Sequence, residues 1–180
     1  MRILAPLVAL ALALLPTAAV PALPVGAAAP DFTTTGALAG RPVRMHLREQ
    51  LRRGPVVLYF YPRAFTEGCT LEANAFSQAA AEFRRHGARV IGMSADNYET
   101  LRRFSVEACR NAFPVATASA ETIRAYDVRL REGSELTNRT SFVIAPNGRI
   151  LYVHSDPDWR DHVTNTLAAV RRWRASQRRR

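Results

Sequence analysis

Apolar positions along the chain change their spacing several times, and each change marks an element. Residues 55–62, PVVLYFYP, form a nearly continuous apolar run of β-branched and aromatic side chains bounded by Gly54 and Pro62. Such a run predicts a central strand covered on both faces. From Cys69 the apolar positions recur at helical spacing through Ala73, Phe76, Ala80 and Phe83, which predicts an amphipathic helix ending near His86-Gly87. Residues 88–96 read as the next strand, and 97–109 as a helix with Leu101, Phe104 and Ala108 on one stripe. A short strand over 112–117 and a short helix capped by Ser119 follow. Residues 140–155 predict two strands joined around Pro146-Asn147-Gly148. A last helix places Trp159, Val163, Leu167 and Val170 on one face. Before the central strand, residues 31–47 alternate weakly around two glycines and predict a hairpin.

The order is strand and helix in alternation, then an antiparallel pair, then a helix. It predicts an α/β fold with a mixed central sheet flanked by helices on both faces, a sandwich of the thioredoxin type. The chain of 180 residues is long enough for one domain with a sizeable core. We expect that domain over 27–175, with 176–180 as a basic tail.

The first residues add a compartment. Arg2 precedes an apolar run from Ile3 to Leu15, and small residues follow at Thr17, Ala18, Ala19 and Ala22. This is the pattern of a secretory signal peptide over 1–22, with cleavage after Ala19 or Ala22. Pro6 and Pro16 interrupt the run, and a spanning helix needs ~20 apolar residues. The expectation is export, to the periplasm, where disulfides can form. Net charge is +10, and all the Lys/Arg-type charge is arginine. Six arginines fall in RRWRASQRRR at the C-terminus. With an export leader, that cluster argues for a solvated helix end and at most weak contact with an anionic membrane surface, not for nucleic acid.

Only two cysteines occur, and Cys69 stands where the central strand gives way to a helix. Ligand sites in open α/β sheets gather beyond the C-terminal strand ends. A helix start also presents unpaired N–H groups and positive potential. A free thiol is only a few per cent ionised near neutrality. The helix dipole contributes ~0.3–1 kcal/mol, too little to make a thiolate the main form. A cation or direct hydrogen bonds must supply the rest. Thr66, three residues before Cys69, can turn its hydroxyl toward the sulfur or simply cap the helix. Arg139, immediately before the strand TSFVIAP, can reach the helix start or lie solvated at a strand end. Pro62 ends the strand. His46, His86, His154 and His162 show no metal-ligand spacing and read as surface or satisfied residues.

YPRAFTEGC resembles the peroxiredoxin active-site pattern P-x-x-x-T-x-x-C, filled here by Pro62, Thr66 and Cys69. NRTSFVIAPNGRI resembles the segment that carries that family's active-site arginine, here Arg139. The likeness extends over roughly 28–170 and is nearest to the bacterioferritin-comigratory, Q-type subgroup. It implies a thioredoxin-fold thiol peroxidase that reduces hydrogen peroxide and organic hydroperoxides with no metal or organic cofactor. Cys69 would be the peroxidatic nucleophile that cycles through sulfenic acid. Thr66 would bond thiolate and peroxide, Arg139 would stabilise the developing charge, and Pro62 would shield the pocket. The resemblance also implies a thiol reductant, a thioredoxin-like protein or small thiol, and favours a monomer.

Two departures matter. Asn74 stands where many Q-type members carry the resolving cysteine, and Glu67 stands where proline is frequent. Cys109 is then a possible resolving thiol, a buried spectator or half of a permanent disulfide. Two other functions compete with the peroxidase. One is an exported thioredoxin-fold thiol–disulfide oxidoreductase, which the C-x-x-C pattern would support, but Glu72 fills its second position. The other is a non-catalytic binding or holdase module on the same fold.

Overall fold

The computed structural model describes residues 22–179. The expected signal peptide therefore lies, apart from Ala22, outside the described residues. The elements are β1 (Thr33–Leu38), β2 (Arg41–His46), α1 (Leu47–Leu51), β3 (Val56–Phe60), α2 (Glu67–Arg85) and β4 (Arg89–Ser94). There follow α3 (Tyr98–Glu107), β5 (Val115–Thr117), α4 (Ala120–Ala125), β6 (Thr140–Ile144), β7 (Ile150–Ser155) and α5 (Arg160–Gln177).

The strands form one seven-stranded sheet in the order β2-β1-β5-β4-β3-β6-β7. β3, β4 and β5 run parallel, and the remaining pairings are antiparallel. This is the mixed sheet expected from the chain. All five residues of β3 are buried because both faces are covered. Val57 and Tyr59 of β3 and Tyr61 just beyond it face Phe76 and Phe83 of α2, Leu101 and Phe104 of α3, and Leu167 and Val170 of α5. Val56, Leu58 and Phe60 face the other way, toward Leu47 and Leu51 of α1 and Ile123 of α4.

Local chemistry sets the turns. Ala39 and Gly40 both have positive φ, 51° and 73°, as a two-residue hairpin turn between β1 and β2 requires. Asn97 and Ser119 cap α3 and α4 by accepting from the backbone N–H groups of Thr100 and Thr122. Gly92 pairs with Tyr59 across β4 and β3. A Cβ at Gly92 would sit 2.8 Å from the Tyr59 ring and hydroxyl, so glycine there lets the ring lie flat on the sheet and stack on Phe76 at 4.4 Å.

Three expectations shift. α3 ends at Glu107, so Cys109 sits in the following turn, not at the helix end. Arg110 and Asn111 take left-handed φ of 49° and 62°, which no helix can continue through. α5 runs to Gln177 and so crosses the expected boundary at 175/176. Its inward side carries His162, Thr166, Leu167, Ala169 and Val170, while Trp159 and Val163 are only half-buried. Residues before β1 are bound to the body: Leu23 N–H donates to Tyr126 O at 3.2 Å, and the Tyr126 hydroxyl donates to Pro30 O at 2.7 Å.

Candidate active site

The strand β3 delivers the chain to the site, and the loop behind it is pinned. Tyr61 N–H donates to Met93 O at 3.0 Å, and Ala64 N–H donates to a carboxylate oxygen of Asp96 at 2.7 Å. Phe65 then takes φ +65°, a conformation rare for a side chain of this size. That reversal turns the backbone into α2, with Thr66 at the N-cap and Cys69 in the first turn. The backbone N–H groups of Glu67, Gly68 and Cys69 therefore lack partners within the helix. The sulfur of Cys69 is almost wholly covered, its residue 1% exposed.

Arg139 reaches this helix start because of sheet register. β6 pairs antiparallel with β3, and Thr140 lies opposite Phe60. The residue before Thr140 must therefore lie beside the end of β3, where α2 begins. All three guanidinium nitrogens of Arg139 are engaged. Nη2 donates to Cys69 Sγ at 3.5 Å, Nε donates to Pro157 O at 2.9 Å, and Nη1 pairs with Glu72 Oε2. A guanidinium held at three points is oriented before any substrate arrives.

Glu72 is the residue that sequence reasoning noticed only as a missing cysteine. It is fully buried one turn after Cys69, on the same side of α2. Burial pushes its carboxyl up to about 8, against the opposing pull of Arg139. Its other oxygen, Oε1, has no hydrogen-bond partner and lies 3.7 Å from His162 Nδ1. His162 is fully buried, and burial pushes it down to about 4. Its Nε2 lies 3.0 Å from Asp156 O, a group that only accepts, so the ring proton sits on Nε2. Nδ1 then accepts from the Ser141 hydroxyl at 2.8 Å. One cation thus stands between a thiol and a carboxylic acid, with a neutral imidazole behind the acid. The available hints were a carboxylate inside the apolar stripe of α2 and a histidine four residues before Thr166 on α5. Neither identifies a partner without the fold.

The other expected residues divide. Pro62 is half-buried in the loop before α2. Thr66 is exposed, and its hydroxyl donates to Arg63 O at 3.0 Å, not toward the sulfur. The left-handed turn at Phe65 brings that carbonyl within reach of the N-cap side chain. Thr66 makes no side-chain capping bond either, and retains lone pairs for a donor. Cys109 is free and fully buried, and burial raises its thiol far above the usual range. Cys69 is also free, so the two thiols are not joined in this state. Both lie in the buried cluster that contains Tyr59 and Tyr61. His154 departs from the reading as satisfied, since its Nε2 is buried without a hydrogen-bond partner. It packs edge-on against His162 at 4.5 Å.

The Glu72–His162 pair predicts a pH dependence of stability. Glu72 holds its proton more tightly folded than unfolded, so its contribution falls as pH rises from 4.5 to about 8. His162 holds its proton less tightly folded, so its contribution rises from about 4 to 6.5 and is then flat. The two oppose each other at acidic pH, and above 6.5 only the Glu72 effect remains. Urea midpoints should therefore fall from neutral to mildly alkaline pH, and Glu72→Gln should flatten that slope.

Comparison with known proteins agrees with this geometry. Residues 25–153 match the AhpC/TSA family. A Helicobacter pylori protein carrying the peroxiredoxin name bcp is 35% identical over 131 residues, 70% of this chain and 84% of its own length. Peroxiredoxin Bcp of Xanthomonas campestris is 30% identical over 122 residues, 64% of this chain and 76% of its own. The crystal structure of peroxidoxin BcpB from Mycobacterium tuberculosis superposes with a TM-score of 0.72 at 33% identity, covering 82% of this chain and 96% of that one. The family match over most of the chain, the identity to these relatives and the likeness of the whole fold place the molecule in the AhpC/TSA family as a peroxiredoxin, a thiol peroxidase.

Proposed function

We propose that Cys69 is the peroxidatic residue and that the enzyme reduces hydrogen peroxide and organic hydroperoxides through a Cys69 sulfenic acid. The observation that carries this is the Arg139 guanidinium 3.5 Å from Cys69 Sγ, at a helix start whose N–H groups are free. The thiolate attacks one peroxide oxygen, the O–O bond breaks, and the leaving oxygen takes a proton to depart as water or alcohol. Arg139 and the first-turn N–H groups stabilise the charge that grows on the oxygens. Thr66 offers an acceptor to the peroxide hydroxyl, and Pro62 covers the approach.

Cys109 then resolves the sulfenic acid. Its thiol condenses with the sulfenic acid to form a disulfide and release water, and an external dithiol of thioredoxin type restores both thiols. Support comes from the turn that holds it, where two successive non-glycine residues are left-handed, Arg110 and Asn111. Such a turn opens at lower cost than a regular helix end. Opening also returns the buried thiol to water, where it ionises normally.

Mass spectrometry after one equivalent of hydrogen peroxide tests the proposal. The wild type should yield a Cys69–Cys109 disulfide. Cys109→Ser should instead gain one oxygen on Cys69 and lose turnover with a dithiol reductant. Oxygen found first at Cys109 or at a methionine would reject the assignment. The leader-like N-terminus supports an exported enzyme, and N-terminal sequencing of the mature protein checks it by showing a start after Ala19 or Ala22.

A further inference from the structure

A groove of about 500 Å³ lies at the end of the sheet remote from Cys69. Arg89 opens β4 there, Phe113 and Pro114 lead into β5, and Arg84 is in the last turn of α2. Arg53, just after α1, lines the same groove, and Met45 and Val90 belong to its apolar wall. The volume falls within the roughly 300–1,000 Å³ of small-molecule sites.

The charge in this groove is not balanced. Its carboxylate, Glu49, is taken by Arg44 at 3.2 Å and by His46 Nδ1 at 3.1 Å. Arg53, Arg84 and Arg89 form no ion pair among the described residues. Arg84 makes only a long bond, Nη1 to Ala112 O at 3.5 Å. Arg89 Nη1 is buried with no hydrogen-bond partner. A buried charged donor left unmatched is costly. An oxyanion in the groove would meet Arg53 and Arg84 directly, and would offset the charge of Arg89 beside them.

We propose that this groove binds a phosphate monoester carrying an apolar or aromatic group. Planar guanidinium groups match phosphate oxygens in pairs, and three of them suit a doubly charged head better than a single carboxylate. Phe113, Pro114, Met45 and Val90 give the ester's body an apolar surface to cover. The site is separate from the thiol chemistry and stands whether or not Cys69 carries the peroxidase reaction.

Isothermal titration calorimetry on the full chain tests this with phenyl phosphate and inorganic phosphate. Phenyl phosphate should bind at one site and more tightly than inorganic phosphate. Arg89→Met, and separately the exposed pair Arg53→Gln/Arg84→Gln, should each weaken it about tenfold. Peroxidase activity should stay unchanged in both. Arg178→Gln/Arg179→Gln removes the same charge from the C-terminus and should leave binding intact. Flotation with phosphatidic acid vesicles distinguishes sources: groove-dependent flotation makes the head group that of a lipid, and its absence makes the ester soluble. No saturable binding of phenyl phosphate at millimolar concentration, or equal weakening by the C-terminal pair, overturns the proposal.

Discussion

Cys69→Ser is expected to bring peroxide consumption down to the uncatalysed background while the protein still folds. The substitution changes one buried atom, and Arg139 keeps its bonds to Glu72 and Pro157. What disappears, on the proposed mechanism, is the attacking sulfur. A serine hydroxyl in the same place has no general base beside it, because the groups nearest Cys69 are a guanidinium and helix N–H groups. Hydrogen peroxide consumption with excess dithiol, set beside a thermal melt, separates lost chemistry from lost fold. A serine variant that melts like the wild type and still turns over would remove Cys69 from the mechanism.

Arg139→Met should produce two large effects that can be pulled apart. The rate constant for reaction with peroxide should fall about 10²–10³-fold, the usual loss when one donor to a developing anion is removed. Stability should also fall, because Glu72 is left buried without its cation. Breaking such a pair costs about 3–5 kcal/mol when the remaining charge stays ionised. Glu72, which burial already keeps as the acid up to about pH 8, escapes most of this by keeping its proton, so the loss should be small at acidic and neutral pH and larger at alkaline pH. Adding Glu72→Leu to Arg139→Met removes the stranded acid. The double variant should recover much of the stability and none of the rate. Stopped-flow oxidation and urea denaturation of the single and double variants read the two quantities independently. Recovery of rate in the double variant would mean that Arg139 acts only by restraining Glu72.

Local signals in the chain were enough for most of the architecture. The run 55–62 became β3, fully buried, and the caps Asn97 and Ser119 stand where α3 and α4 begin. These features are set by neighbours within a few residues. The pairing of Arg139 with Glu72 spans 67 positions and depends on the register of β6 against β3. Arg139 was reachable through a motif, but Glu72 and His162 were not. An apolar stripe is read by its apolar members, so polar residues on the buried side of α2 and α5 drop out of the pattern. Thr66 shows another limit. Its hydroxyl direction follows from the left-handed φ of Phe65, and phenylalanine carries no signal for that conformation. Cys109 was displaced from its expected helix because Arg110 and Asn111 are both left-handed; asparagine tolerates that conformation, but arginine carries no signal for it.

Arg139 enters the chain 70 positions after Cys69, and its anchor Pro157 later still. During synthesis the sulfur is therefore made well before its guanidinium. On the proposed mechanism the sulfur gains that partner only once β6 has paired with β3, so the site is completed by the later half of the chain.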